Sequence, residues 1–176
     1  KQLSQVIQDK KCDFGIAFDG DGDRLSVIDK YGRLLLADQL LPLFAEEVLR
    51  TYPGAPILID VKSSIHLLNS IEKLGGKPLF CSCGHSNIKI KMKEVNSPLA
   101  AEMSGHIMFA DRAFGFDDAL YAALRLIGII STQKISLERW LDSQPKRFIS
   151  QLYKIYTPHK FELMELLKKR MVKLTK

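Results

Sequence analysis

The chain has 176 residues, of which 46% are apolar and 9% aromatic, and it carries a net charge of +6. This length and composition predict a globular protein of one domain, or of one domain and part of another, with a sizeable core. Part of this charge comes from basic residues near the C-terminal end, which have no exposed-looking aromatic residues among them, and this argues against nucleic-acid binding. Three cysteines, no visible signal peptide and no long apolar run argue against a disulfide framework and a membrane span, and predict a cytoplasmic location.

The first predicted element is a short buried strand over residues 14–18, and an acidic loop follows it directly. This loop, residues 19–24, has the sequence DGDGDR, and we term it the aspartate loop. Alternate side chains of an extended segment point to one side, so Asp19, Asp21 and Asp23 are expected to converge. Converging carboxylates need a cation or protons to neutralise them, and ligand sets of oxygen alone favour Mg²⁺ over Zn²⁺. The aspartate loop is therefore a predicted Mg²⁺ site.

Two glycines are predicted to give this loop its backbone freedom, because Gly20 and Gly22 can adopt angles that residues with a Cβ resist. The competing interpretations are a solvated acidic turn and a calcium-binding EF-hand loop. An EF-hand requires glycine at the sixth position and glutamate at the twelfth, where this chain has Arg24 and Lys30. The EF-hand is therefore excluded, and the strict spacing of the aspartates beside an arginine favours a metal site over a turn.

Beyond the aspartate loop, strand-like and helix-like segments alternate. The predicted strands are residues 25–28, 57–61, 78–81 and a pair that flanks the polar loop at 102–106. The predicted helices are residues 38–52, 64–74, 87–95, one capped by Asp117 that ends near 130, a short one capped by Ser136, and a basic one after Pro158. Between the last two helices, residues 144–145 are a predicted linker and residues 148–156 a predicted extended stretch. This alternation predicts an α/β fold with a mixed, mostly parallel sheet flanked by helices.

Four polar clusters fall in the predicted loops, mostly at the ends of strands. They are residues 19–24, 62–64, 84–86 and 102–106. Because the carboxyl ends of parallel strands lie along one edge of a sheet, we expect these clusters to line one cleft. Glu102 and Ser104 alternate, so we expect them to face one side and to offer a carboxylate and a hydroxyl to a polyol such as a sugar.

A zinc site is an alternative for one of these clusters, because Cys81, Cys83 and His85 also alternate. A fourth zinc ligand is missing, and a strand end explains Cys81 equally well. Each polar residue alone has an ordinary structural explanation, such as a histidine at the start of a helix. Only the combination of these clusters with the aspartate loop indicates a functional site.

Five segments of the chain carry a resemblance to a known family. They are DFGIAFDGDGDR, Asp60-Val61-Lys62-Ser63-Ser64, Gly84-His85-Ser86, AEMSGHIMF and GFDDALYAALRL. In order and spacing they resemble the α-D-phosphohexomutases, most closely the phosphomannomutase/phosphoglucomutase branch. The resemblance implies a four-domain, Mg²⁺-dependent isomerase of carbohydrate metabolism. Such an enzyme moves a phosphoryl group between O1 and O6 of a hexose through a bisphosphate, and its first domain carries a phosphoserine.

The roles that the resemblance implies fall into three classes. The metal ligands are Asp19, Asp21 and Asp23, completed by a serine phosphate from outside this chain. The catalytic residues are Arg24, Lys62 and His106, since phosphoryl transfer needs its spread negative charge neutralised. The substrate-binding residues are His85, Glu102 and Ser104.

The resemblance also implies a division of the chain into three parts. Residues 1–36 would close a metal-binding second domain, residues 37–144 would form a sugar-binding third domain, and residues 145–176 would lead toward a phosphate-binding fourth domain. The implied partners are hexose phosphates and the missing domains, without which we expect the chain to be inactive. The alternatives are a non-catalytic sugar-phosphate-binding module and a metal-dependent sugar phosphatase, although a phosphatase gives no reason for the Glu-Met-Ser-Gly-His loop.

Overall fold

The computed structural model describes residues 2–146 and 153–174, and the chain divides into two compact units, Lys1–Pro145 and Lys146–Lys176. The strands of the described residues are β1 (Phe14–Phe18), β2 (Leu25–Asp29), β3 (Leu34–Leu35), β4 (Pro56–Asp60), β5 (Lys77–Cys81), β6 (Leu99–Ala101) and β7 (Ile107–Phe109). The helices are α1 (Gln2–Lys10), α2 (Ala37–Thr51), α3 (Ile65–Lys73), α4 (His85–Val95), α5 (Ala119–Gln133), α6 (Leu137–Ser143) and α7 (Lys160–Leu174). No helix within these two ranges has the length and apolar character needed to cross a bilayer.

The first sheet is a small antiparallel one with the strand order β1, β2, β3. The aspartate loop is the connection of its β1–β2 hairpin, in which Phe18 lies opposite Leu25. The prediction that the first strand is buried is wrong, because Phe18 is 45% exposed and only Gly15 of this strand is buried. The inner side of Gly15 is covered by Ile7 of α1, a helix that the sequence analysis did not predict.

The second sheet has the strand order β5, β4, β6, β7. β4 runs parallel to β5 and to β6, whereas β7 returns antiparallel to β6. This confirms the predicted mixed, mostly parallel sheet flanked by helices. The aspartate loop, however, extends from the other, antiparallel sheet, so the argument that placed all four polar clusters at one parallel sheet edge is wrong for this loop.

One hydrophobic core nevertheless joins the two sheets. Leu25 and Val27 of β2 belong to the same buried cluster as Ile57 of β4, and side chains of α2 and α5 complete it. Phe44 of α2 and Phe109 of β7 meet edge to face at a ring-centre distance of 5.3 Å. Each such fully buried side chain contributes about 1.5–3 kcal/mol to folding. The aspartate loop is therefore held at a fixed place beside the second sheet.

Of the two helix caps that the sequence analysis predicted, Ser136 is confirmed and Asp117 is not. Ser64 and Ser136 accept hydrogen bonds from the N–H groups of Leu67 and Arg139, as helix caps do. The cap of α5 is Asp118, which accepts a hydrogen bond from the Tyr121 N–H at 2.9 Å. The prediction that Asp117 caps this helix is wrong by one residue, and Asp117 is left free for other contacts.

The C-terminal unit is described only in part. The predicted extended stretch at residues 148–156 lies partly outside the described residues, and residues 153–157 have no regular secondary structure. The predicted basic helix is present as α7, beginning at Lys160.

Candidate functional site

The aspartate loop brings its carboxylates together as expected. Asp19, Asp21 and Asp23 each place an oxygen within 4.8 Å of the others. Gly22 has a φ of +76°, which a residue with a Cβ rarely adopts, whereas Gly20 does not lie in the positive-φ region. The prediction of backbone freedom therefore holds for Gly22 and is wrong for Gly20.

The local charges affect these carboxyl groups differently. Desolvation would raise the pKa of Asp19, but a hydrogen bond from the Arg24 backbone N–H and the charge of Arg24 outweigh it, so this pKa lies below its ordinary value. Desolvation raises the pKa of Asp23, and the charges of Asp21 and Asp19 add to this effect although His106 opposes it. Asp23 is therefore a carboxylate whose charge the protein alone compensates poorly.

The donor set of the aspartate loop fits a hard divalent cation. Asp23 Oδ1 is buried and accepts no hydrogen bond from the described residues, and the Arg24 Nε lies 3.9 Å away. Buried carboxylate oxygens without a partner are rare in folded proteins. A cation held by the three carboxylates would satisfy this oxygen and remove the repulsion between the aspartates, and oxygen-only ligands suit Mg²⁺.

Main-chain contacts tie the aspartate loop to residues 102–106. Arg24 and His106 form an antiparallel β-bridge, and the Leu25 N–H donates to the Gly105 carbonyl at 3.0 Å. Gly105 has a φ of +102°, and a Cβ there would lie 2.9 Å from the Leu25 carbonyl oxygen. Only glycine fits this close approach without a shift of the backbone. The two loops are thus joined by backbone, although they belong to different sheets.

Two histidines lie beside this junction. His106 is buried; its Nε2 accepts a hydrogen bond from the Arg24 Nε at 3.2 Å, and its Nδ1 lies 3.4 Å from Asp23 Oδ2. The ring of His85, at the start of α4, stacks on His106 at 5.4 Å with the planes 9° apart. The structure therefore brings together Arg24, His85 and His106, which the sequence analysis had placed in one pocket.

Asp117 is a member of this group that the sequence analysis missed. Its Oδ2 lies 3.0 Å from His85 Nδ1 and 3.3 Å from His106 Nδ1, and its Oδ1 accepts a hydrogen bond from the Lys89 Nζ at 2.7 Å. Desolvation opposes ionisation of Asp117, but the Lys89 hydrogen bond prevails and its pKa lies below the ordinary value. The signal was present in the GFDD motif, in which the sequence analysis assigned Asp117 to the helix cap and gave Asp118 no role.

We term this group the aspartate–histidine cluster. Its members are Asp19, Asp21, Asp23, Arg24, His85, Lys89, His106 and Asp117.

A second group of polar residues surrounds Asp60 at the end of β4. The Asp60 side chain is fully buried; its Oδ1 accepts from the Lys62 N–H at 3.2 Å and from the Ser63 hydroxyl at 3.0 Å. Its Oδ2 accepts from the Met103 N–H at 3.3 Å and lies 3.4 Å from Lys62 Nζ. We term Asp60, Lys62, Ser63, Cys83 and Glu102 the Asp60 cluster.

Lys62 and Cys83 respond to the charge of Asp60. Burial would lower the pKa of Lys62, but the Asp60 carboxylate outweighs it and the pKa is raised. Burial raises the pKa of the Cys83 thiol, and Asp60 adds to that effect. Lys62 therefore stays a cation at neutral pH, and Cys83 stays a neutral thiol.

Glu102 and Ser104 do not share one environment. Glu102 is 4% exposed and its Oε1 accepts a hydrogen bond from the Gly84 N–H at 2.7 Å, whereas Ser104 is exposed. Residues 102–105 form a turn, closed by a hydrogen bond from the Gly105 N–H to the Glu102 carbonyl. The alternation expected of an extended strand does not apply in such a turn, so that argument for a common side was wrong.

The zinc alternative finds no support in the described residues. The groups there that could hold a metal are the three aspartates of the loop, Asp23 with His106 and Asp117, and Asp60 with Cys83 and Glu102. None of them includes Cys81 or pairs Cys83 with His85. The oxygen-rich aspartate loop remains the candidate metal centre.

Comparison with known proteins identifies relatives of the chain. Residues 37–148 match the family model described as "Phosphoglucomutase/phosphomannomutase, alpha/beta/alpha domain III". The chain is similar to a phosphomannomutase/phosphoglucomutase of Pseudomonas aeruginosa, 44% identical over 145 residues, and to one of Pseudomonas syringae, 41% identical over 171 residues. These matches cover 82% and 96% of this chain but 31% and 37% of the relatives, so the chain spans about a third of their length.

A solved structure shows the same similarity. A crystal structure of a phosphoglucomutase/phosphomannomutase family protein from Burkholderia thailandensis superposes with a TM-score of 0.79 at 41% identity. The superposition covers 82% of this chain and 32% of that one.

Proposed function

The chain belongs to the phosphoglucomutase/phosphomannomutase family, and from this membership we propose that it is part of an enzyme that interconverts hexose 1-phosphates and hexose 6-phosphates through a bisphosphate. The observation that carries the proposal is the backbone junction at Arg24 and His106. It joins the aspartate loop, the candidate metal site, to a loop with polar groups suited to a sugar. Phosphoryl transfer on a sugar requires these two functions side by side.

Asp19, Asp21 and Asp23 would hold Mg²⁺, with a serine phosphate from a missing domain as a further ligand. When bound, the metal neutralises negative charge that develops on the phosphoryl oxygens. The poorly compensated charge of Asp23 supports this assignment, because a cation would offset the desolvation and the charges of Asp21 and Asp19 that raise its pKa.

The side chains around the metal loop have separate proposed tasks. Arg24 and Lys62 are electrostatic stabilisers of the transferring phosphoryl group, and the raised pKa of Lys62 favours this role over that of a base. His106 is proposed to act at the reacting oxygens. The substrate contacts are proposed to come from His85, Glu102 and Ser104.

The domain division and the location of the protein follow from the same proposal. Residues 1–36 would complete the metal-binding domain, residues 37–144 would form the sugar-binding domain, and residues 145–176 would lead to a phosphate-binding domain. The chain spans about a third of its relatives, so the nucleophilic serine and the phosphate clamp would lie outside it. We propose that the isolated chain is inactive and that the complete enzyme is cytoplasmic.

A Mg²⁺ titration and an activity assay together test this function. Calorimetry on the isolated chain should show weak Mg²⁺ binding that Asp21→Ala abolishes, while Asp13→Ala, which removes an exposed carboxylate outside the loop, leaves it unchanged. In the full-length protein, Asp21→Ala should lower the conversion of mannose 1-phosphate or glucose 1-phosphate at least about a hundredfold. Full turnover by that variant, or phosphate release without isomerisation by the parent, would overturn the proposal.

A further inference from the structure

Asp117 is placed to control two histidines at once. We propose that Asp117 is a positioning residue whose single oxygen, Oδ2, holds both His85 and His106 with hydrogen on Nδ1 and a free electron pair on Nε2. The inference deepens the proposed function and rests on it for its catalytic meaning. Which ring nitrogen of each histidine carries the hydrogen can be measured without an activity assay.

The distances give both rings the same orientation toward Asp117. His85 Nδ1 and His106 Nδ1 lie 3.0 and 3.3 Å from the same Oδ2 atom, and the Asp117 and His106 side chains are 8% and 6% exposed. Lys89 donates to the other oxygen of Asp117 and favours its ionised form. Neither contact has hydrogen-bond geometry, but the charge of an ionised carboxylate repels the electron pair of a bare nitrogen. A neutral imidazole that turns Nδ1 toward Asp117 is therefore favoured in the form that carries its hydrogen on Nδ1, and Asp23 Oδ2, 3.4 Å from His106 Nδ1, adds to this effect at His106.

The opposite side of His106 supports the same tautomer independently. The Arg24 Nε–H donates to His106 Nε2, and arginine has no acceptor to offer. Nε2 must therefore be the bare nitrogen of a neutral His106. His85 has no such second constraint in the described residues, and its side chain is 48% exposed, so its tautomer depends on Asp117 alone.

Backbone contacts hold Asp117 beside the two histidines. Met108 of β7 forms an antiparallel bridge with Asp117, so this residue lies beside the strand that follows His106. One residue beyond the α5 cap, the Ala119 N–H donates to the Gly22 carbonyl at 3.1 Å and ties this segment to the aspartate loop. Because Asp118 supplies the helix cap, Asp117 is not needed for it.

The chemical consequence concerns proton acceptance. An Nδ1–H imidazole presents Nε2 as a hydrogen-bond acceptor or as a base for a sugar hydroxyl. In His106 this nitrogen already accepts from Arg24, whereas the half-exposed His85 keeps its own available to a bound ligand. Asp117 would thus set how His85 meets a substrate and how His106 holds Arg24, without touching the substrate itself.

Imidazole nitrogen spectra of the metal-free, ¹⁵N-labelled chain test the proposal, recorded at a pH where the rings are neutral. The wild-type chain should show Nδ1–H as the major tautomer of His85 and His106, whose signals are assigned with single glutamine substitutions. Asp117→Leu and Asp117→Ala should turn His85 largely to the Nε2–H form. The shift at His106 should be smaller, because Arg24 still donates to its Nε2.

The matched control is Asp118→Ala, which removes the neighbouring carboxylate and the α5 cap but should leave both tautomers unchanged. The amide spectrum shows whether each Asp117 variant is folded, and the tautomers are compared with the wild type in a variant that is. Nε2–H as the major wild-type form of His85, or an unchanged His85 tautomer in a folded Asp117 variant, would overturn the proposal. An inactive full-length enzyme with the expected tautomers would instead contradict only the proposed function.

Discussion

The aspartate–histidine cluster and the Asp60 cluster both contain acidic and basic side chains, but they differ in how well their buried polar atoms are hydrogen-bonded. In the first, Asp23 Oδ1, His106 Nδ1 and Asp117 Oδ2 are buried without a partner of hydrogen-bond geometry, although polar side-chain atoms lie 3.0–3.9 Å from them. In the second, both oxygens of Asp60 accept hydrogen bonds. Buried polar groups are normally satisfied, so the exceptions indicate where a ligand is expected.

This difference assigns different tasks to chemically similar carboxylates. Asp60 organises the segments around Lys62 and Met103 and is part of the fold. The aspartates of the loop repel one another, and a cation bound as proposed would remove that repulsion. Stability measurements can therefore separate the two clusters without an activity assay.

The largest effect is expected at Asp60. Asp60→Ala removes the acceptor of the Lys62 and Met103 N–H groups and of the Ser63 hydroxyl, and the loss of these three part-buried hydrogen bonds should lower the free energy of unfolding by about 3 kcal/mol. The matched change Asp21→Ala, at an exposed carboxylate of the loop, should leave it unchanged within about 0.5 kcal/mol. Urea unfolding measures both, and equal losses would contradict the division between the clusters.

The next effect tests the junction between the loops. Gly105→Ala places a Cβ 2.9 Å from the Leu25 carbonyl at a positive φ, and such strain should lower the free energy of unfolding by about 2 kcal/mol. Gly20→Ala is the control, because a Cβ there has no atom within 4 Å and no positive φ. The same unfolding experiment checks this pair, and a tolerated alanine at residue 105 would mean that the loops are not held together.

A smaller effect is expected at an ion pair that belongs to neither cluster. Lys30 donates to Glu138 at 2.6 Å and lowers the pKa of Glu138 from 4.5 to about 2. A lowered carboxyl pKa stabilises the fold above the unfolded value and loses that contribution as the pH falls toward the folded value. Glu138→Gln should therefore be less stable than the parent above pH 4.5, with the difference disappearing near pH 2.

The smallest effect has the opposite sign. The raised pKa of Asp23 means that its ionised form costs stability once the pH exceeds the ordinary value of 3.8. In the absence of divalent cations, Asp23→Asn should raise the melting temperature slightly at neutral pH, and the gain should fade in acid. Added Mg²⁺ should then stabilise the parent and not the variant. A loss of stability in metal-free buffer would contradict the repulsion inferred for the loop.

Local pattern was enough to predict the second sheet and most helices. The apolar run at residues 57–61, bounded by turn residues, predicted a strand whose ends differ from those of β4 by one residue. Ser64 and Ser136 correctly indicated where α3 and α6 begin. Helix α1 was missed because its single buried residue, Ile7, gives almost no periodic signal. The half-buried state of β1 depends on its edge position in a separate sheet, which no local pattern reports.

The sequence was enough to predict most of the residues of the candidate site but not the contacts between them. The spacing of Asp19, Asp21 and Asp23 needed only local conformation. The contacts of Asp117 with His85 and His106 depend on the bridge between Asp117 and Met108, and such pairing across strands cannot be inferred from spacing. Adjacent aspartates look alike in sequence, and only the tertiary contacts separate the cap at 118 from the partner of the histidines at 117.

Main-chain hydrogen bonds connect the aspartate loop and its flanking residue Leu25 to neighbouring segments. The Leu25 N–H donates to Gly105 of the 102–106 loop, and the Ala119 N–H at the start of α5 donates to Gly22. Their strength does not depend on which side chains the loops carry, apart from the glycine that permits the approach. On the proposed function, Ser104 could therefore be exchanged to suit a different sugar while the candidate cation site stays in place. A side chain of the recognition loop that is independent of the backbone connection would let one scaffold acquire new substrate preferences in single mutational steps.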